Sequence, residues 1–149
     1  MKIIFQKESF LVKEKFEKFS KTNSAAGSII SFIGKVRPKN NNKKVIDIDI
    51  EIYKKMALVQ MKKIISKLKK KYKILDFLVL HRFGKVKPQE NILLILVASE
   101  HRKEGFRFIE DLVDWLKIKI TFWKKENYLN DYEWVEQKIT DRKIFLTKN

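Results

Sequence analysis

The spacing of hydrophobic and polar positions changes several times along the chain, and each change marks an element. Residues 2–6 (KIIFQ) read as a short strand, and Phe10, Phe16 and Phe19 recur at roughly helical spacing over 9–20. The stretch AAGSIISFIGKV (25–36) is apolar and β-branched, which predicts a buried strand. RPKNNNKK (37–44) combines a proline, three asparagines and a charge cluster, and reads as a mobile loop. VIDIDIEIY (45–53) alternates strictly, with Ile46, Ile48, Ile50 and Ile52 on one face and Asp47, Asp49 and Glu51 on the other, a half-buried strand. Over 54–72, Met61, Ile64, Ile65 and Leu68 fall at i, i+3, i+4, i+7 and predict an amphipathic helix with lysines on its outer face.

Residues 73–83 read as a strand, 84–89 as a connection, and ENILLILVASE (90–100) as a strongly apolar strand. A helix follows from about His101 to Leu116, with Phe106, Ile109, Leu112, Val113 and Leu116 turned inward; KIKITFW and YEWVEQK then look extended. The order β-α-β-β-α-β-β-α-β-β predicts an α+β fold, a mostly antiparallel sheet with three main helices. With 149 residues and no Gly/Ser/Pro linker or internal repeat, residues 1–149 form one domain.

Composition narrows the chemistry. The absence of cysteine excludes disulfides, thiolate metal sites and a cysteine nucleophile, and two histidines, His81 and His101, are too few for a multi-histidine metal site. MKIIFQKE is too short an apolar start for a signal-peptide core, and ILLILVA at 92–98 is far shorter than the roughly 20 residues of a membrane helix, so a cytoplasmic protein is expected. The net charge of +16 suggests nucleic acid, but 29 of the 34 basic residues are lysine and only 5 arginine. Readers of nucleic acid favour the arginine fork, and lysine enrichment also follows from AT-rich codon usage. A basic, non-catalytic RNA-binding module therefore stands as the alternative reading.

Two stretches could carry chemistry. SEHRKEGF (99–106) sets a serine, a histidine and an arginine at a strand-to-helix junction, where unpaired N–H groups attract anions; a plain helix start explains it equally well. In WLKIKITFWKKE (115–126), Lys117 and Lys124 are seven apart. They share a face if the helix continues. The β-branched Ile118, Ile120 and Thr121 argue that it ends near Lys117, and Lys124 then lies across a bend. A lysine partly buried among Trp and Phe is hard to keep charged and can serve as acid, base or nucleophile, but on the residues alone a solvated face accounts for these lysines better. His81, at a strand end beside Arg82, reads as structural.

In order along the chain, GSIISFIGKVR (27–37), HRFGKVKP (81–88), VASEHR (97–102), DWLKIKITFWKKE (114–126) and the Trp134-Val135-Glu136 segment resemble the large, catalytic subunit of molybdopterin synthase. The resemblance runs from the first strand to about Lys138. It implies an α/β-hammerhead type of fold and a sulfurtransferase that converts cyclic pyranopterin monophosphate into molybdopterin by installing a dithiolene. No cofactor is implied. It further implies a small ubiquitin-like partner that delivers sulfur as a thiocarboxylate on its C-terminal glycine, and a homodimer within a heterotetramer.

Position by position, Lys117 and Lys124 match the family's active-site lysines, and Arg37, His101 and Arg102 its anion-binding group. Lys35, Val36, Lys125 and Glu126 line the same stretches as substrate-binding neighbours. The residue types suit the substrate: arginine binds phosphate through two N–H groups, and fixed cations stabilise charge that develops on a phosphate. Departures from the family pattern are Ile52 for a histidine, Gln89 for a glycine, and Lys119 and Lys138 for arginines. Lysine keeps the charge and loses the fork.

Overall fold

A computed structural model describes residues 1–120 and 122–135. In chain order the elements are β1 (Lys2–Gln6), α1 (Val12–Thr22), β2 (Ser28–Lys35), β3 (Lys39–Asn40), β4 (Lys43–Lys44), β5 (Asp47–Ile52), α2 (Lys54–Lys71), β6 (Asp76–Arg82), β7 (Gly84–Val86), β8 (Asn91–Ser99), α3 (Arg102–Ile118), β9 (Phe122–Asn127) and β10 (Tyr132–Trp134). The fold is α+β, as the periodicity predicts, but its strands divide between two four-stranded sheets. The first runs β1-β6-β8-β2 and the second β10-β9-β5-β7. All their pairings are antiparallel except β1 with β6.

The central strands of the first sheet, β6 and β8, are buried on both faces, which is why ILLILVA is apolar without alternation. Phe77, Val79, Leu93, Ile95 and Val97 face α2 and α3. Leu78, Leu80, Leu94, Leu96 and Ala98 face Phe10 and the α1 residue Phe19. The predicted stripe of α2 is observed, with Met61, Ile64, Ile65 and Leu68 all buried and Ala57 added. A separate small core of Val36, Val45, Ile48, Ile50 and Val86 belongs to the second sheet.

Three expectations are corrected. The 37–44 segment is a hairpin rather than a mobile loop. Lys39 pairs with Lys44 and Asn40 with Lys43, around a two-residue turn in which Asn41 and Asn42 take φ of 46° and 63°. Positive φ at both turn residues is what a tight hairpin of this hand requires, and asparagine tolerates it. The 84–89 connection contains β7, which adds a fourth strand to the second sheet. Ile46 does not share the buried face of Ile48 and Ile50; it precedes β5 and is exposed.

The phase of α3 also differs. Phe106 points to solvent and Phe108 is fully buried in its place, with Ile109, Leu112 and Leu116 inward as predicted. Gly105 sets this phase, because a Cβ there would press on Ile30 Cδ1 at 2.8 Å and Ser99 Oγ at 2.9 Å. Phe108→Ala is expected to lower stability by about 3–5 kcal/mol, and Phe106→Ala to change it by less than about 0.5 kcal/mol. Urea unfolding of the two variants checks this, and equal losses would contradict the observed phase.

Candidate active site

The site is built on β9. Along FWKKEN, side chains alternate between the faces of the second sheet, and the register places Phe122 opposite Ile52, Lys124 opposite Ile50 and Glu126 opposite Ile48. Ile48 and Ile50 are buried, so Lys124 and Glu126 stand on the apolar side. That placement holds the Lys124 ammonium below the ordinary lysine value of 10.5. Burial is the larger cause and the charge of Lys117 the second, while Glu126 pulls the other way.

Lys117 lies in the last turn of α3, which ends at Ile118, so the chain bends between the two lysines as the β-branched residues suggest. Lys117 is exposed, while Lys124 is partly buried. The structure thus brings the two sequence-predicted lysines within electrostatic reach of each other, one wet and one dry.

Glu126 is buried, and its Oε2 accepts hydrogen bonds from Asn40 Nδ2 and the Tyr128 hydroxyl, each at 2.8 Å. Arg37 reaches the same cluster from the end of β2, donating from Nη2 to Asn40 Oδ1 at 3.5 Å. Lys35 is exposed at the last position of β2, across from Asn91. Val36 contributes differently. Its side chain belongs to the core, its N–H donates to Glu90 O and its carbonyl accepts from Gln89 N, so it shapes the site's floor. Lys125 occupies the opposite face of β9 from Lys124, across from Asp49, with its ammonium 5.2 Å from the centre of the Tyr132 ring and 5.7 Å from that of Trp134.

His101 and Arg102 stand elsewhere. His101 caps α3 with an exposed side chain 4.0 Å from Glu100, and Arg102 is the first residue of the helix. Lys117 lies fifteen residues further along it, roughly 22 Å away at 1.5 Å per residue. Within one chain the three residues expected to bind an anion are therefore divided, with Arg37 linked through Asn40 to Glu126 on β9 and His101–Arg102 at the start of α3. Lys138 and Glu136 lie outside the described residues.

His81, which reads as structural in the sequence, packs beside Lys124. It is 3% exposed, and its ring stacks on Phe122 with centroids 4.0 Å apart and planes 13° from parallel. Its Nδ1 lies 2.7 Å from the carbonyl of Arg82, which can only accept, so Nδ1 carries the proton and Nε2 the lone pair. Burial, followed by the charge of Lys124, pushes its pKa down to about 3. The ring is neutral at ordinary pH and forms part of the dry wall beside Lys124. Nothing in its local sequence signals this, because the partner Phe122 is 41 positions away.

Among the described residues, no three His, Cys, Asp or Glu side chains come together to hold a metal. A groove of about 700 Å³ between β1 and α2, floored by Ile3, Leu58, Ile65 and Phe77, contains none of the site residues.

Comparison with known proteins bears on the family and the fold. Residues 5–119 match the model of the family described as MoaE protein. A molybdopterin synthase catalytic subunit from Ralstonia nicotianae is 37% identical over 117 residues, 78% of this chain and 66% of that protein. The crystal structure of molybdopterin synthase from Staphylococcus aureus superposes with a TM-score of 0.82 at 26% identity, covering 91% of this chain and 98% of that one. A chain from the complex of subunits 1 and 2 of molybdopterin-converting factor from Helicobacter pylori shares the fold, with a TM-score of 0.76 at 18% identity and 91% coverage of each chain. The matched span, the sequence identity and the shared fold agree: the chain belongs to the MoaE protein family, that of the molybdopterin synthase catalytic subunits.

Proposed function

We propose that the protein is a sulfurtransferase that, as the catalytic subunit of molybdopterin synthase, installs the dithiolene sulfurs of molybdopterin on cyclic pyranopterin monophosphate. The observation that carries this reading is the Lys124 amine. It is set on an apolar sheet face, depressed below the ordinary lysine range and flanked by the cation of Lys117. A lysine in that state gives up its proton more readily than an ordinary lysine and, once deprotonated, can act as a base. Arg37 offers a fork for the substrate phosphate, and Lys117 and Lys35 add positive charge where negative charge develops as the cyclic phosphate opens.

Sulfur is supplied, in this reading, as the C-terminal thiocarboxylate of a small ubiquitin-like subunit, and a lysine exchanges protons as each thioester forms and is cleaved. The Helicobacter pylori chain with this fold is from a complex of two different subunits, which supports a partner of this kind. The separation of His101 and Arg102 from the lysines favours a homodimer, since a second copy laying the start of its α3 beside Lys117 would complete the anion group. With a small subunit on each copy the assembly is a heterotetramer. No helix of the described residues is long and apolar enough to cross a membrane, and the reading places the reaction in the cytoplasm.

The test mixes the protein with a thiocarboxylated small subunit and cyclic pyranopterin monophosphate and follows dithiolene product. Product formation is expected, and its absence with a partner shown to be active overturns the proposal. RNA binding that weakens steeply with salt and is spread over many lysines would instead support the basic-module alternative.

A further inference from the structure

We infer that Asn40 is a positioning residue that ties Arg37 to Glu126 and so fixes the arginine fork to the strand that carries Lys124. The inference rests on the sulfur-transfer reading for its purpose, but its geometry stands apart from that reading. Asn40 uses both ends of its amide: Oδ1 accepts from Arg37 Nη2 at 3.5 Å, and Nδ2 donates to Glu126 Oε2 at 2.8 Å. These two partners come from different parts of the fold. Arg37 follows β2 of the first sheet, and Glu126 lies on β9 of the second. Among the described residues, Asn40 hydrogen-bonds both.

The surrounding hairpin explains how a short exposed segment holds an amide in place. Asn40 precedes the Asn41–Asn42 turn directly, and its cross-strand partner Lys43 anchors the other arm. Lys43 binds Glu133 of β10 at 2.5 Å and lies 5.1 Å from the centre of the Tyr128 ring. The hydroxyl of that same tyrosine is the second donor to Glu126. The hairpin is therefore strapped to β9 and β10 from both sides, with the Asn40 amide at its inner contact.

Glu126 lies two residues from Lys124 on the same face, and its carboxylate favours the protonated form of that lysine. An amide that holds the carboxylate in place thus acts on the amine through it. Removing the amide leaves Glu126 on the Tyr128 hydroxyl alone and releases Arg37. Aspartate cannot replace asparagine here, because it has no N–H to donate and sets a second carboxylate against Glu126.

The test uses Asn40→Ala and, should alanine loosen the hairpin, Asn40→Leu, which keeps the side chain's shape without its hydrogen bonds. Lys124 is labelled with acetic anhydride across a pH series in the isolated protein, and its peptide is quantified by mass spectrometry. Either variant is expected to move the labelling midpoint to lower pH, with about threefold faster labelling at fixed pH. The shift should vanish when the Asn40 change is made on a Glu126→Gln background. In the sulfur-transfer assay the same variants should raise KM for the pterin substrate about tenfold, with no further rise on an Arg37→Ala background. A wild-type labelling profile, or effects that add to those of Glu126→Gln and Arg37→Ala, would overturn the role given to Asn40. If the wild-type protein makes no product with an active partner, the sulfur-transfer reading fails, and labelling alone still decides whether Asn40 positions Glu126.

Discussion

Lys124→Ala is expected to lower dithiolene formation by about 10²–10⁴-fold in a single-turnover assay, the range over which a positioned acid or base contributes. Lys124→Arg should fail comparably. A guanidinium keeps the positive charge but does not deprotonate in this range. Near-wild-type rates for the arginine variant would reduce Lys124 to a simple cation and remove the acid–base role. The pH dependence adds a sign. Because burial and Lys117 both lower the amine's pKa, the rate transition that belongs to Lys124 should fall below 10.5. Lys117→Ala removes the like charge and should move that transition towards alkaline pH, whichever proton-transfer role Lys124 fills.

The same burial has a cost in stability. The folded chain holds the Lys124 proton less tightly than the unfolded chain does. The penalty is therefore full below the folded pKa and is relieved as pH rises from that value to 10.5. Lys124→Met, which needs no hydration on the face opposite Ile50, should consequently melt at a higher temperature than the wild type at neutral pH while making no product. Gain of stability with loss of function is the mark of a group kept for chemistry.

The parts of this molecule that were legible in the sequence are those where one local period decides the outcome. Met61, Ile64, Ile65 and Leu68 have one consistent helical face, and ILLILVA, apolar at every position and strand-sized, reads as a strand. Where two periods overlapped, the reading slipped. Residues 106, 109, 112, 113 and 116 and residues 105, 108, 109, 112 and 116 both make plausible stripes on α3, and the close approach of Gly105 to Ile30 and Ser99 accompanies the second.

The 37–44 hairpin went unread because its strands are two residues long and polar. What holds them is side chains on β9 and β10, invisible to any local pattern. The site shows the same division. Spacing and aromatic neighbours make Lys117 and Lys124 candidates and β-branching marks the bend between them, but it is the resemblance to the family that selects them. The lowered pKa of Lys124 follows from its strand register opposite Ile50, which no window around residue 124 contains. Arg102 and Lys117 lie on one helix, and their separation follows from helix rise alone once α3 is known to be continuous.

His81 gives a large expected dependence of stability on pH. In the unfolded chain its imidazole takes up a proton near pH 6.5, whereas in the folded protein burial and Lys124 hold that step down to about 3. Between these values the unfolded state binds the extra proton, so stability falls as the pH falls through this window. A displacement of this size corresponds to roughly 5 kcal/mol over the whole window and roughly 3 kcal/mol by pH 4. Asp76 and Glu90, whose carboxyls also sit below their ordinary values, lose stability on acidification too. The contribution of His81 must therefore be isolated by substitution. Asn places an amide N–H where Nδ1 donates to the Arg82 carbonyl and does not titrate. His81→Asn should be less stable at pH 7, through loss of the stack on Phe122, yet should lose roughly 3 kcal/mol less than the wild type between pH 7 and pH 4 in urea unfolding. Parallel losses in the two proteins would mean that the imidazole charges freely in the folded state. The wall beside Lys124 would then be wet, and the low pKa of the lysine would lose its main cause.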